Sequence, residues 1–143
     1  ALGADEVDFE PNMSYLVSNM YAEFQHEAER LVEAAEGRPI KAMLELGYLD
    51  GATKRREAIE LLDDAGVRWI KNSSGVGPGS EAASVENVKF VKASVRPGTH
   101  VKASGGIRTY EQVVALLGAG AELVGTSAGT SIVTGAEAAA TNY

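Results

Sequence analysis

Five times along the chain an apolar, β-branched run is followed by a helical pattern, and no hairpin signal lies between the runs. Strands that never meet through a tight turn are joined by crossovers. The alternation therefore predicts parallel strands in right-handed βα units. The first run, Asp5 to Pro11, follows Gly3 and is closed by proline. Ser14 is placed to cap one long helix through about Glu36, with Leu16, Val17, Met20, Tyr21, Phe24, Ala28, Leu31 and Ala35 at helical spacing. Strands are then expected over 40–46, 67–73, 99–104 and 121–127, and helices over 52–65, 84–94 and 109–117, with a weak Ala- and Thr-rich helix last. Such a series suits an open doubly wound sheet or part of an eight-unit barrel. Chemistry-bearing residues at the C-terminal ends of several strands favour the barrel, which five units alone cannot close.

Whole-chain quantities narrow the function. At 143 residues the chain is read as one domain, 1–143, large enough for a real core. Its 13 basic residues are scattered and its net charge is −7, which is no nucleic-acid footprint. Any attraction for phosphate must then be a local matter of amides and lysines. Cysteine is absent, so thiolate chemistry and disulfides are excluded, in keeping with a reducing cytosol. Two histidines, His26 and His100, are too few and too far apart for a recognisable metal site. No secretory leader or membrane-spanning apolar run is recognisable. The chain begins at Ala1 in what reads as the tail of a helix, so an upstream portion is expected.

The informative stretch is His100-Val101-Lys102-Ala103-Ser104-Gly105-Gly106-Ile107-Arg108-Thr109. A strand delivers an amine to its C-terminal end, two glycines turn the backbone, and a helix begins at Thr109 and Glu111, offering amides to an anion. About thirty residues earlier Trp69-Ile70-Lys71-Asn72-Ser73-Ser74-Gly75 repeats the design. A lysine held in a cleft and partly desolvated can attack a carbonyl and form a Schiff base, and a second cation nearby favours the neutral amine by like-charge repulsion. The ordinary alternative is a pair of lysines snorkelling from strand ends into water. Lys41 lies at the start of its strand and is expected on the opposite face, while Lys89 and Lys92 read as solvated helix charges.

Gly105-Gly106 and Gly125-Thr126-Ser127-Ala128-Gly129 both lead from strand to helix. In barrels the last two such loops commonly hold phosphate, although glycine also simply turns chains. Alternation puts Glu6 and Asp8 on one face of the first strand. A carboxylate there can relay protons or hold a lysine charged, and a solvated acidic strand start fits Asp5 and Glu6 better than Asp8. Glu45 is a weaker candidate of the same kind.

Taken together, these segments resemble the deoxyribose-phosphate aldolases, class I aldolases on a parallel (β/α)8 TIM barrel. Val101 to Thr109 is similar to that family's lysine-glycine-glycine strand. Ile70-Lys71-Asn72-Ser73-Ser74-Gly75 resembles its Schiff-base segment, usually Lys-Thr-Ser-Thr-Gly. Gly3-Ala4-Asp5-Glu6-Val7-Asp8 with Asn12 resembles the strand of its catalytic aspartate, and Gly125-Thr126-Ser127 its final phosphate loop. The resemblance implies about five of eight βα units, the C-terminal part of the barrel.

It also implies roles. Lys71 forms the imine, Lys102 tunes it, and Asp8 joins the proton relay. Gly105, Gly106, Ser127 and Ala128 hold phosphate, and Asn72 and Ser74 wall the substrate pocket. The implied reaction cleaves 2-deoxy-D-ribose 5-phosphate reversibly to acetaldehyde and D-glyceraldehyde 3-phosphate. It needs no metal or organic cofactor and belongs to a cytoplasmic homo-oligomer, dimer or tetramer, acting on a small sugar phosphate and on neither nucleic acid nor membrane. Departures from the family pattern stand at Asn72 and Ser74 for threonines, Val76 for lysine or an aromatic, Leu46 for threonine, and Ala128 for serine or threonine. Tyr143 is similar to a C-terminal tyrosine that some relatives use at the active site. The alternatives are a related barrel lyase or isomerase on another sugar phosphate, and an inactive aldolase-like paralogue or fragment.

Overall fold

Along the strands every second residue is apolar and buried (Ile40, Ala42 and Leu44; Ile70; Val101 and Ala103), and the residues between them include Lys41, Lys71 and Lys102. A period of two sorts side chains onto two faces. One face packs under helices and the other is left for function. The structure, a computed structural model, describes residues 3–76 and 79–135. In chain order these form β1 (Val7–Phe9), α1 (Met13–Val17), α2 (Tyr21–Ala34), β2 (Ile40–Met43), a 3-10 turn (Leu46–Tyr48), α3 (Gly51–Asp64), β3 (Trp69–Lys71), α4 (Val85–Ser94), β4 (His100–Ser104), α5 (Tyr110–Gly118), β5 (Leu123–Gly125) and α6 (Gly129–Thr134).

The five strands form one sheet in the order β1-β2-β3-β4-β5, every pair parallel. Sequential order with no reversal is the wall of a (β/α) barrel; a doubly wound sheet would reverse at a switch point. The sheet is also curled. On a flat sheet β1 and β4 would lie about 14 Å apart, three strand spacings. Yet Asp8 on β1 and Lys102 on β4 are in hydrogen-bond contact at 2.5 Å.

The core lies between the sheet and its helices. Phe24 and Ala28 of α2, Ala58, Ile59 and Leu62 of α3, Val88 and Val91 of α4 and Leu116 of α5 close over the apolar strand residues. Ser84 caps α4, its hydroxyl accepting from the Asn87 amide at 3.0 Å. Thr109 caps α5 through a reciprocal box closed by Gln112, whose side-chain oxygen accepts from the Thr109 amide at 3.0 Å.

The expected single helix from Ser14 to Glu36 is divided in two. Asn12, not Ser14, is the cap, its side chain accepting from the Ser14 amide at 3.1 Å. The chain leaves the helix at Ser18, and Asn19 takes φ 58°, a left-handed conformation that asparagine tolerates. The apolar spacing runs on across this break and conceals it. Of the expected Ala- and Thr-rich helix, α6 is the described part, and its alanine-rich continuation and Tyr143 lie outside the described residues. Among the described residues no helix is long and apolar enough to cross a membrane.

A lysine-rich candidate active site

The strand registers lay out the inner face as two rungs. Asp8, Lys41, Trp69 and His100 are register partners across β1 to β4, and one step further toward the C-terminal ends Met43, Lys71, Lys102 and Leu123 are partners across β2 to β5. Parallel register partners point to the same side, so three lysines share the concave face. The expectation that Lys41 faces away is therefore wrong. Its strand position counted alone is ambiguous, and the Met43–Lys71 register fixes the face. Lys41 is only 2 % exposed, donates to Glu6 Oε2 at 2.5 Å and lies 5.7 Å from the centre of the Trp69 ring.

Asp8 is the hub. Its Oδ2 accepts from Lys102 Nζ at 2.5 Å and from Lys71 Nζ at 3.3 Å, and its Oδ1 lies 3.8 Å from Lys41 Nζ. Burial pushes the Asp8 carboxyl up, but the hydrogen bonds and charges of Lys102 and Lys71 outweigh that and hold it below its ordinary value of 3.8. The Lys71 amine also touches Met43 Sδ at 3.3 Å, an apolar flank on one side. Lys102 gains its room from Gly125, where a Cβ would stand 3.3 Å from Lys102 Cε.

Above the two amines opens a cleft of about 420 Å³, lined by Lys71 and Lys102 at its floor and by loops 74–76, 104–108 and 125–127. Gly105 and Gly106, at φ 101° and 70°, turn one wall in a conformation suited to glycine. Ser74, Gly105, Gly106 and Ser127 all line the cleft. Two expected members do not. Asn72 is fully buried and clamps the Ser104 backbone, donating to its carbonyl at 3.0 Å and accepting from its amide at 2.9 Å, so it ties β3 to β4 and forms no wall of the cleft. Ala128 caps α6, and its amide is taken by Thr126 Oγ1 at 2.9 Å. Strand alternation accounts for Asn72, which follows the inward Lys71 and so points out.

Glu45, considered a possible acid, has a structural engagement. Fully buried and at φ 40°, it accepts from Ser73 Oγ at 3.0 Å and from the Ser74 amide, and so holds the loop after Lys71. Arg108, an exposed residue, also lines the cleft. A wider cleft of about 750 Å³, between residues 10–14 and Val17, Ser18 and Tyr48, contains none of the lysines. Among the described residues no cluster of His, Cys, Asp and Glu could hold a metal ion.

Two amines that share an inward carboxylate below a glycine-lined cleft could offer a nitrogen to a carbonyl and a carboxylate to relay protons beside it. No family model matches the chain. Among curated proteins, the deoxyribose-phosphate aldolase of Thermococcus gammatolerans is 41% identical over 136 residues, covering 94% of this chain and 59% of that protein. That of Dictyoglomus turgidum is 38% identical over 134 residues, covering 94% and 60%. Among solved structures, the aldolase QR15 superposes with TM-score 0.86 at 33% identity, covering 93% of this chain and 59% of QR15. A tetrameric deoxyribose phosphate aldolase from Aeropyrum pernix gives TM-score 0.81 at 30% identity, covering 92% and 55%. In sequence and in fold the chain is similar to the deoxyribose-phosphate aldolases, and it spans about three-fifths of the length of the curated relatives it matches.

Proposed function

We propose that the protein is a class I, Schiff-base aldolase that reversibly cleaves 2-deoxy-D-ribose 5-phosphate to acetaldehyde and D-glyceraldehyde 3-phosphate. The observation that carries this reading is the sharing of Asp8 Oδ2 by Lys71 and Lys102, at 3.3 and 2.5 Å, on the floor of the glycine-lined cleft. Neutral Lys71 attacks the aldehyde carbon of the open-chain sugar, and loss of water gives the imine. The proton of the C3 hydroxyl passes to the Asp8–Lys102 pair as the C2–C3 bond breaks. The bonding electrons move toward the imine nitrogen, leaving an enamine, and D-glyceraldehyde 3-phosphate departs. The same pair returns a proton to C2, and water hydrolyses the imine to acetaldehyde.

Phosphate is assigned to the amides of Gly105 and Gly106 and to Ser127, with Arg108 as a cation at the rim. The lysine imine is itself the electron sink, so this chemistry calls on no metal or organic cofactor. The five βα units act as one domain of an eight-unit barrel in a homo-oligomer. The A. pernix relative, described as tetrameric, supports that assembly.

The test is intact mass after incubation with acetaldehyde and sodium borohydride. A single ethyl adduct on the wild type, absent from Lys71→Ala, is the expected result. A folded protein that gains no adduct would overturn the Schiff-base reading. It would favour a lyase or isomerase that forms no imine, or an inactive paralogue.

A further inference from the structure

Asp8 presents its two oxygens to different surroundings. Oδ2 faces the cleft and takes both reactive amines. Oδ1 faces Lys41 Nζ, 3.8 Å away in a site that does not line the cleft. Lys41 is nearly sealed, and its nearest acid, Glu6, is 53 % exposed at its side chain and so is itself partly neutralised by water. No other carboxylate among the described residues forms an ion pair with it.

From these placements we infer that Lys41 is a positioning residue of the active site, a buried third cation that holds Asp8 by its back oxygen and limits how fully Asp8 can neutralise Lys71 and Lys102. This rests on the Schiff-base reading above. The charges at issue are Glu6 just before β1, Asp8 on β1, Lys41 on β2, Lys71 on β3 and Lys102 on β4, with the Trp69 ring beneath Lys41 and His100 stacked on Trp69. With Lys41 in place the cluster brings three amines to two carboxylates, so Asp8 is shared among three charges. A packing role alone would ask only for a long apolar side chain on a strand between Glu6 and Trp69. A charge balanced between Glu6 and Asp8 does more, because it acts on the protonation of amines it does not touch.

The experiment measures the rate of borohydride trapping with acetaldehyde against pH for wild type, Lys41→Met, Lys41→Arg and Glu6→Gln. Lys41→Met keeps length and removes charge. Its profile is expected to move up by about one pH unit, roughly tenfold slower trapping on the acidic side. Lys41→Arg is expected to restore the wild-type midpoint. Glu6→Gln, at a partly exposed position that should tolerate the change, frees Lys41 for Asp8 and is expected to move the profile down. Overlaid profiles for a folded Lys41→Met, or for Glu6→Gln if the lysine variant does not fold, would overturn the inference while leaving the Schiff base intact. Absence of any adduct on wild type would instead overturn the Schiff-base reading, and this inference with it.

Discussion

Asp8 concentrates the electrostatics of the molecule in one side chain. Its carboxyl is held below 3.8 in the fold, so the unfolded chain takes up this proton first as pH falls. The contribution of Asp8 to stability is then fully present above its ordinary value and is lost as pH drops through the lower folded value. Thermal melts of wild type and Asp8→Asn between about pH 6 and pH 2 should reveal this. The variant is expected to melt lower near neutrality, where two amines lose their counter-charge, and the two curves should converge in acid. Curves that stay parallel throughout would show that Asp8 carries no acid-linked stability. Asp8, Lys71 and Lys102 could all be picked out in the sequence, because each ends or interrupts an apolar run with a charge. Lys41 could not be placed, since its face depends on register with β3, a property of the pair and not of either strand alone.

At the scale of elements, the strand–helix order was legible because period two and period 3.6 are local patterns, and the caps at Ser84 and Thr109 could be read from residue type. What the sequence concealed was the partner at each join. Glu111 looked like the helix-start acid, but Gln112 closes the box on Thr109. Asn72, expected on the pocket wall, and Glu45, a candidate acid, instead bind strand and loop backbone. The glycine loops also meet each other: a Cβ on Gly105, at φ 101°, would lie 3.3 Å from the Glu81 carbonyl oxygen and 3.5 Å from Gly75 Cα. Gly105→Ala is therefore expected to cost about 1–3 kcal/mol, from left-handed strain and this contact together. Urea unfolding would read it as a lower midpoint at unchanged slope. A loss below about 0.5 kcal/mol, the range of neutral surface changes, would mean that the loop gives way freely.

At the scale of the whole molecule, the curl that carries Asp8 to Lys102 also leaves two strands at the rims of the sheet. Among the described residues nothing pairs with the outer edge of β1 or of β5. Val7 and Leu123, one on each rim strand, are 47% and 36% exposed. Parallel sheets are normally covered on both faces and closed or capped at their edges, and an open edge offers a row of amides and carbonyls to another chain. A polypeptide of only these 143 residues is accordingly expected to associate. In sedimentation velocity its mean sedimentation coefficient should rise with loading concentration, and charged substitutions on the rim strands, Val7→Lys and Leu123→Lys, should reduce that rise. Rim lysines are a common device against edge pairing, and neither residue is part of the buried core. A monodisperse monomer that unfolds in one cooperative step would refute this, and would mean that five βα units and a curled sheet suffice to satisfy their own edges.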